Sequence, residues 1–470
     1  MSFDYDLLCI GSGPAGQRAA IQAAKAGKRV AVVERSRHIG GGCLGNGTIP
    51  SKTFREAVCR VLVRLAADDG LGLAPKKKAR IEDLVGRVAD IQRREGDVLR
   101  HQLQRNDVNL ISGDATFAGP QAVDVKTDAG VHRLTAAHIM VAVGTVPSQP
   151  PGVDCGSTVV VSDAMVDLER LPNHLIVVGA GVIGMEYASM FAMLGCKVTV
   201  VDRRRRPLEF LDGELVDELI HQLRQRRVVF RPAESVASVQ VAAGDQRALV
   251  ELESGKRLVG DMVLFSIGRR GATANLGLEH AGLTPDDRGR LTVDENYRTA
   301  VPSIYAAGDV IGFPALAATS AEQGRLAARH MFGLSDDGMA PHFPIGIYSI
   351  PEVSMVGQTE EALTEARVPY ETGLSRYRET ARGQILDDHD GLLKLIFHRE
   401  SGVLLGAHAI GTGATELIHI GQAVMALGGG LDYFLKTVFN YPTLAECYKV
   451  AALNAANKIA EEEALEVSAA

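Results

Sequence analysis

Two stretches of the chain share one order of apolar, glycine and polar positions. A short apolar run at 7–10 leads into the tight turn Gly11-Ser12-Gly13-Pro14-Ala15-Gly16, and 17–26 follows with helical spacing. Gly27 ends that helix, and a second apolar run at 29–33 closes on Glu34. The order returns as 175–178, the turn Gly179-Ala180-Gly181-Val182-Ile183-Gly184, a helical run to Leu194, Gly195, and 197–201 closing on Asp202. Gly179, Gly181, Gly184 and Asp202 each lie 168 positions after Gly11, Gly13, Gly16 and Glu34. One G-x-G-x-x-G is weak evidence. Two complete units, each with an acid 18 residues past its last glycine, predict two dinucleotide-binding folds.

The spacing has a physical reason. Glycines permit the tight turn, the approach of backbone to pyrophosphate, and close helix–strand packing. The phosphates then sit at a helix N-terminus, where free N–H groups and the helix dipole favour negative charge. Glu34 and Asp202 are expected to accept hydrogen bonds from an adenosine ribose.

Elsewhere, 53–106 reads as mostly helical with a polar interruption at 74–78, and short strands follow to Val143. Gly144-Thr145-Val146-Pro147 and Pro150-Pro151-Gly152 mark one boundary, and 268–271 marks another. Residues 227–267 read as short strands, 304–309 as a strand ending on Gly308-Asp309, and Ala317–Met331 as a helix. Beyond 339, strands are expected at 352–357 and 392–410, helices near 414–427 and 444–460, and a frayed tail over 461–470.

Composition narrows the function classes. Of 470 residues 50 are glycine, about 11% against a usual 7% or so, and the two turns use part of that surplus. A net charge of −7, no tryptophan and 5% aromatics argue against nucleic-acid binding. Six cysteines are too sparse for a disulfide scaffold, and none has metal-ligand spacing. No run reads as a signal peptide or membrane span, so a cytoplasmic protein is expected.

The segment Cys43-Leu-Gly-Asn-Gly-Thr48-Ile-Pro-Ser-Lys52, the paired turns, Tyr305-Ala-Ala-Gly-Asp309 and Tyr441-Pro-Thr-Leu-Ala-Glu446 together resemble the flavoprotein disulfide reductase family. The resemblance spans nearly the whole chain. It implies an α/β protein with two Rossmann-like domains and a C-terminal α+β interface domain that makes a homodimer or higher homo-oligomer. The expected spans are 1–150 and 271–338 for FAD, 151–270 for NAD(P) and 339–470 for the interface. Carried over by motif, FAD falls to Gly11, Gly13, Gly16, Glu34, Arg35, Cys43, Lys52, Gly144, Asp309 and Ala317. NAD(P) falls to Gly179, Gly181, Gly184, Asp202, Arg203, Arg204 and Gly268. Lys52 and Glu186 match the family's catalytic ion pair beside the flavin; the plainer alternatives are a solvated lysine and a surface helix acid.

The departures matter as much. A disulfide reductase needs a second cysteine where Thr48 stands, and a hydroxyl forms neither disulfide nor thiolate. Tyr441 stands where the family carries a histidine, and a phenol with a pKa near 10 is a poor base at neutral pH. Glu446 is read as a capping-box partner of Thr443, Cys43 as a packing residue, and Cys447 as a helix-core cysteine rather than a partner for Cys43. Asp387-Asp388-His389-Asp390-Gly391 is read as a polar hairpin turn, and His408 and His419 as packing or helix-face residues.

Without a dithiol, the pattern is similar to the soluble pyridine nucleotide transhydrogenases, which exchange hydride between NADPH and NAD+. The resemblance implies that NADPH, NADH, NAD+ and NADP+ are substrates and that the mechanism is ping-pong. Asp202 followed by Arg203, Arg204, Arg205 and Arg206 suits either a ribose 2′-hydroxyl or a 2′-phosphate, although a solvated basic loop would look the same. A dithiol-free NAD(P)H diaphorase shares every nucleotide motif. A non-enzymatic redox-sensing flavoprotein is the third reading.

Overall fold

The computed structural model describes residues 3–36, 38–69, 80–150, 152–242, 244, 246–335 and 338–469. The expected interruption at 74–78 lies outside them. By contacts the chain forms two compact units. One comprises Met1–Gly152, Val161–Leu171 and Ile267–Met339; the other comprises Val153–Val160, Pro172–Ser266 and Ala340–Ala470.

The first unit is built on a parallel sheet. Tyr5–Ile10 lies between Val30–Glu34 and Gly130–Val141, with Leu7 opposite Val30 on one side and His138 on the other. Asn109–Ser112 extends one side. On the other, Ile304–Ala306 pairs with the end of Gly130–Val141, Tyr305 opposite Met140. The start of that long strand turns instead into an antiparallel meander with Ala122–Thr127 and Asp114–Gly119. Buried Leu7, Leu8, Val32, Val33 and Ile139 explain why these strands read as unbroken apolar runs. Pro14–Lys25 packs its alanines against Ala327, Ala328 and Met331 of the helix Ala317–Met331.

The second unit holds two sheets that matter for the site. His174–Val178, Lys197–Asp202, Val229–Pro232 and Met262–Phe265 run parallel, repeating the arrangement of the first unit. A five-stranded antiparallel sheet follows, in the order Ile345–Ile347, Val353–Gly357, Leu404–Ile410, Leu392–His398, Tyr370–Arg376. The helix Glu446–Ala469 packs Cys447, Tyr448, Ala451 and Ala455 into its core. Among the described residues no helix is long and apolar enough to cross a membrane.

Three local expectations are corrected. The last helix continues to Ala469 rather than fraying at 461. Thr443 does not cap it: its hydroxyl donates to the Asn440 carbonyl at 2.7 Å, and the helix begins only at Glu446. One buried oxygen of Glu446 therefore has no hydrogen-bond partner among the described residues. Residues 387–391 form no hairpin turn, because they link the short helix Ala381–Leu386 to the strand Leu392–His398. Asp388 organises that link by accepting from the Gly391 and Thr412 N–H groups.

Candidate functional site

Both glycine turns have the same construction. Gly11 and Gly179 take φ of +104° and +105°, where a side chain would be strained and would also strike the carbonyls of Ala142 and Ser266. A Cβ on Gly16 or Gly184 would strike the carbonyl of Gly11 or Gly179, so these glycines let helix and turn close together. The middle glycines differ. A Cβ on Gly13 or Gly181 would meet nothing within 4 Å. No protein contact demands a glycine there, which fits a surface kept bare for a phosphate to approach. Each middle glycine is the N-cap of its helix, and neither has a side-chain cap.

The acids are held alike. Glu34 is buried; its Oε2 accepts from Ser12 N at 3.0 Å and Ser12 Oγ at 2.5 Å, and its Oε1 from Ser36 N at 2.8 Å. Ser12 Oγ also accepts from Gly40 N at 2.9 Å, tying the turn to the start of the segment that carries Cys43. Asp202 accepts from Ala180 N and from Arg204 N, and its carboxylate is forked by the Arg204 guanidinium. Burial alone would raise its pKa; the guanidinium and the two N–H groups outweigh that and hold the carboxyl below its usual range. Arg35 and Arg203 are exposed beside these acids.

The remaining residues assigned to FAD lie in the first unit. Asp309 is reached by the Thr145 and Ser320 hydroxyls only at 3.4 and 3.5 Å, and burial pushes its carboxyl above the usual range. A half-buried carboxyl so loosely bonded still has room for hydroxyl donors, as a ribityl chain would supply. Gly144 takes φ +64°; Gly268, assigned to NAD(P), also falls in this unit and takes φ +117°. Ala317 opens its helix without a side-chain cap. Cys43 lies in the short helix Gly41–Gly45, with Thr48 hydrogen-bonded to it; burial outweighs that bond and pushes the thiol's pKa up. A neutral thiol is what a packing residue would show. Lys52 stands in the first turns of Thr48–Asp69, with Nζ 3.3 Å from Ser51 Oγ.

Glu186 belongs to the second unit and is not a surface acid. It is 2% exposed, and its Oε1 accepts from Tyr348 N at 2.9 Å. Ser189 one turn on receives Ile350 N at 3.0 Å, so this helix is fixed to the 348–350 segment by two polar ties. His408 is fully buried with Nε2 2.9 Å from the Gln358 carbonyl, and His419 pairs with Gln422 on an exposed face. Cys447 is buried in the helix core, and burial pushes its thiol up to about 11. Among the described residues no cluster could hold a metal ion.

Two side chains that organise the candidate site residues escaped the sequence reading. Ser12 sits inside the motif at a position the pattern leaves open, and a hydroxyl beside the turn was the available signal. Arg269, at the 268–271 boundary, grips Thr145 and Asp163, with Nη1 2.7 Å from Asp163 Oδ1. Asp163 also accepts from Asn46 at 2.7 Å. No local pattern joins residues so far apart.

Comparison with known proteins agrees with this construction. Residues 5–324 match the pyridine nucleotide-disulphide oxidoreductase family, and 343–452 match its dimerisation domain. A soluble pyridine nucleotide transhydrogenase of Mycobacterium tuberculosis is 51% identical over 97% of this chain and 98% of its own. One from Colwellia psychrerythraea is 41% identical over 97% and 99%. Among solved structures, LpdA from Mycobacterium tuberculosis superposes with a TM-score of 0.87 at 28% identity, over 95% of this chain and 99% of that one. The HOCl-induced flavoprotein disulfide reductase RclA from Escherichia coli gives 0.87 at 26% identity, over 96% and 99%. With two matching glycine cradles, the two acids behind them and these likenesses along nearly its full length, the chain belongs to the pyridine nucleotide-disulphide oxidoreductase family.

Proposed function

We propose that the protein is a FAD-dependent transhydrogenase that moves hydride between NADPH and NAD+, giving NADP+ and NADH, without a redox-active disulfide. The observation that carries this reading is the pairing of two equivalent dinucleotide cradles with Thr48 where a dithiol enzyme needs its second cysteine. Curated relatives bearing the transhydrogenase name support it.

Bound FAD would supply a two-electron carrier able to take hydride from one nicotinamide and return it to another. Residues of the chain bind and orient. Gly11, its N–H held by the Val33 carbonyl, would shape the turn, Gly16 would let the helix close on it, and Gly13 would let the first pyrophosphate approach the helix N-terminus, with Glu34 on the ribose and Arg35 beside it. Cys43, Lys52, Gly144, Asp309 and Ala317 complete the FAD assignment. Gly179, Gly181, Gly184, Asp202, Arg203, Arg204 and Gly268 take NAD(P)(H). Lys52 and Glu186 carry the catalytic assignment as one cation and one anion. The FAD domain comprises 1–150 and 271–338, the NAD(P) domain 151–270, and the interface domain of a cytoplasmic homodimer 339–470.

The first oxidised nucleotide must leave before the second binds, so the kinetics are ping-pong. The test is anaerobic reduction of thio-NAD+ by NADPH on the purified yellow protein. Parallel double-reciprocal lines are expected. No transfer, with brisk turnover of quinones, overturns the reading in favour of a diaphorase.

A further inference from the structure

The two dinucleotide units can be compared position by position, because each residue of one has its counterpart 168 residues on. The two backbone donors to the acid are equivalent: Ser12 N and Ser36 N reach Glu34, and Ala180 N and Arg204 N reach Asp202. The side-chain donor is not. In the first unit it is the Ser12 hydroxyl. Ala180 has none, and the Arg204 guanidinium takes over, with Nε 3.0 Å from Oδ1 and Nη2 2.8 Å from Oδ2.

This substitution changes what each acid can still accept. An ionised carboxylate offers about four lone-pair positions. Among the described residues Glu34 accepts three hydrogen bonds and keeps one position open for a ribose hydroxyl. Asp202 accepts four and keeps none. Its charge is also cancelled by the guanidinium over it. In this arrangement the second acid neither receives a 2′-hydroxyl nor repels a 2′-phosphate. Arg204 can leave that position because its own side chain is 36% exposed, and the cost of uncovering Asp202, which is only 8% exposed, is offset when a ribose hydroxyl donates to the carboxylate in its place.

We propose that Arg204 is a two-position specificity residue. Folded onto Asp202 it adapts the site to the 2′-phosphate of NADP(H); swung away it releases Asp202 to accept the 2′-hydroxyl of NAD(H). One acid then serves both substrates of a transhydrogenase, and Arg204 acts chiefly by masking it. Arg203 and Arg205, exposed on either side, are placed to contact the phosphate itself. This inference rests on reading the second unit as the NAD(P) site.

The test uses the full-length holoenzyme and two probes that differ only at the 2′-position, 2′,5′-ADP and 5′-AMP, titrated by calorimetry. Michaelis constants for NADPH and NADH are measured alongside. Arg204→Ala bares Asp202, so the binding ratio should move toward 5′-AMP by roughly ten- to a hundredfold, the effect of facing like charges. The change should appear in KM for NADPH more than in kcat. Asp202→Asn should move the ratio the other way. In the Asp202→Asn background, Arg204→Ala should then change the ratio by less than about threefold, because nothing is left to mask.

An equal loss of 2′,5′-ADP binding with and without Asp202→Asn would mean that Arg204 simply grips phosphate, and overturns the proposal. Equal weakening of both probes by Arg204→Ala would reduce it to a structural role and also overturns it. Failure of the unaltered protein to bind either probe or NAD(P)H overturns the nucleotide reading itself, and the switch with it.

Discussion

Lys394 Nζ lies 2.8 Å from Asp212 Oδ1, the two side chains being 2% and 1% exposed and 182 residues apart in the chain. Glu360 and Glu214 approach the same ammonium at 2.7 and 3.2 Å. Asp212 is at the same time the N-cap of the helix Gly213–Gln225, accepting from Glu214 N, and it also accepts from Glu360 N. One buried cation thus joins that helix to the antiparallel sheet. Removing it strands a buried carboxylate, so Lys394→Ala should destabilise the second unit by roughly 3–5 kcal/mol. The double variant Lys394→Met with Asp212→Asn, which removes the stranded charge and keeps an N-cap acceptor, should lose less. Urea midpoints of the apoprotein check both.

The same cluster sets an acid limit. Burial would raise the Asp212 pKa, but His408 where acid protonates it, the Lys394 ammonium and the hydrogen bonds to Asp212 outweigh that, and the carboxyl is held below its usual range. A folded-state value below the unfolded one adds stability above the unfolded value and loses it as pH falls toward the folded one. Loss of structure should therefore steepen below about pH 4, the ordinary aspartate value. Asp212→Asn should start less stable and flatten that limb, as followed by far-ultraviolet circular dichroism.

Burial keeps the Cys43 thiol protonated, since its pKa is raised despite the hydrogen bond from Thr48 and the charge of Lys52. Alkylation of Cys43 by iodoacetamide at pH 7 should run slower than that of a free thiol and accelerate only at strongly alkaline pH, read by peptide mass spectrometry. Two-electron reduction should produce no thiolate-to-flavin absorption band. A band would show that the thiol ionises and takes part in the chemistry.

The middle glycines separate binding from folding. A methyl group at position 13 or 181 meets no protein atom within 4 Å, whereas one at 16 or 184 strikes backbone. Gly13→Ala should lower flavin content at purification by about tenfold while leaving the apoprotein melting temperature within about 2 °C. Gly181→Ala should instead raise the Michaelis constants for nicotinamide nucleotides. Gly16→Ala and Gly184→Ala should lower the melting temperature.

What the sequence disclosed followed the range of each signal. The doubled units, the helix stops at Gly27 and Gly195, and the helix Ala317–Met331 are written in short-range spacing, and they appear where that spacing puts them. The strand Tyr370–Arg376 went unread because Glu371 and Gly373 break its apolar alternation; it is held by pairing to Leu392–His398. The Thr443–Glu446 pattern misled because a local motif competes with local turns, and here the Asn440 carbonyl claimed the hydroxyl. Lys394, Arg269 and the fork of Arg204 on Asp202 lay beyond reach for another reason. Their partners are chosen by the folded chain, and a run of four arginines does not say which one turns back.

The parallel sheet of the first unit is completed by Ile304–Ala306, although its neighbour Gly130–Val141 is made much earlier. The helix that covers the alanines of Pro14–Lys25, approached so closely that a Cβ on Gly324 would strike the Ala15 carbonyl, comes later still. On the ribosome about 160 residues separate the two strands, roughly 10–30 s of synthesis. Throughout that interval the nascent chain carries an unpaired strand edge and an uncovered helix face, while the Rossmann strands of the second unit emerge behind it. The first unit is started first and finished late, which makes that edge the place where a partner strand from another nascent chain could intrude.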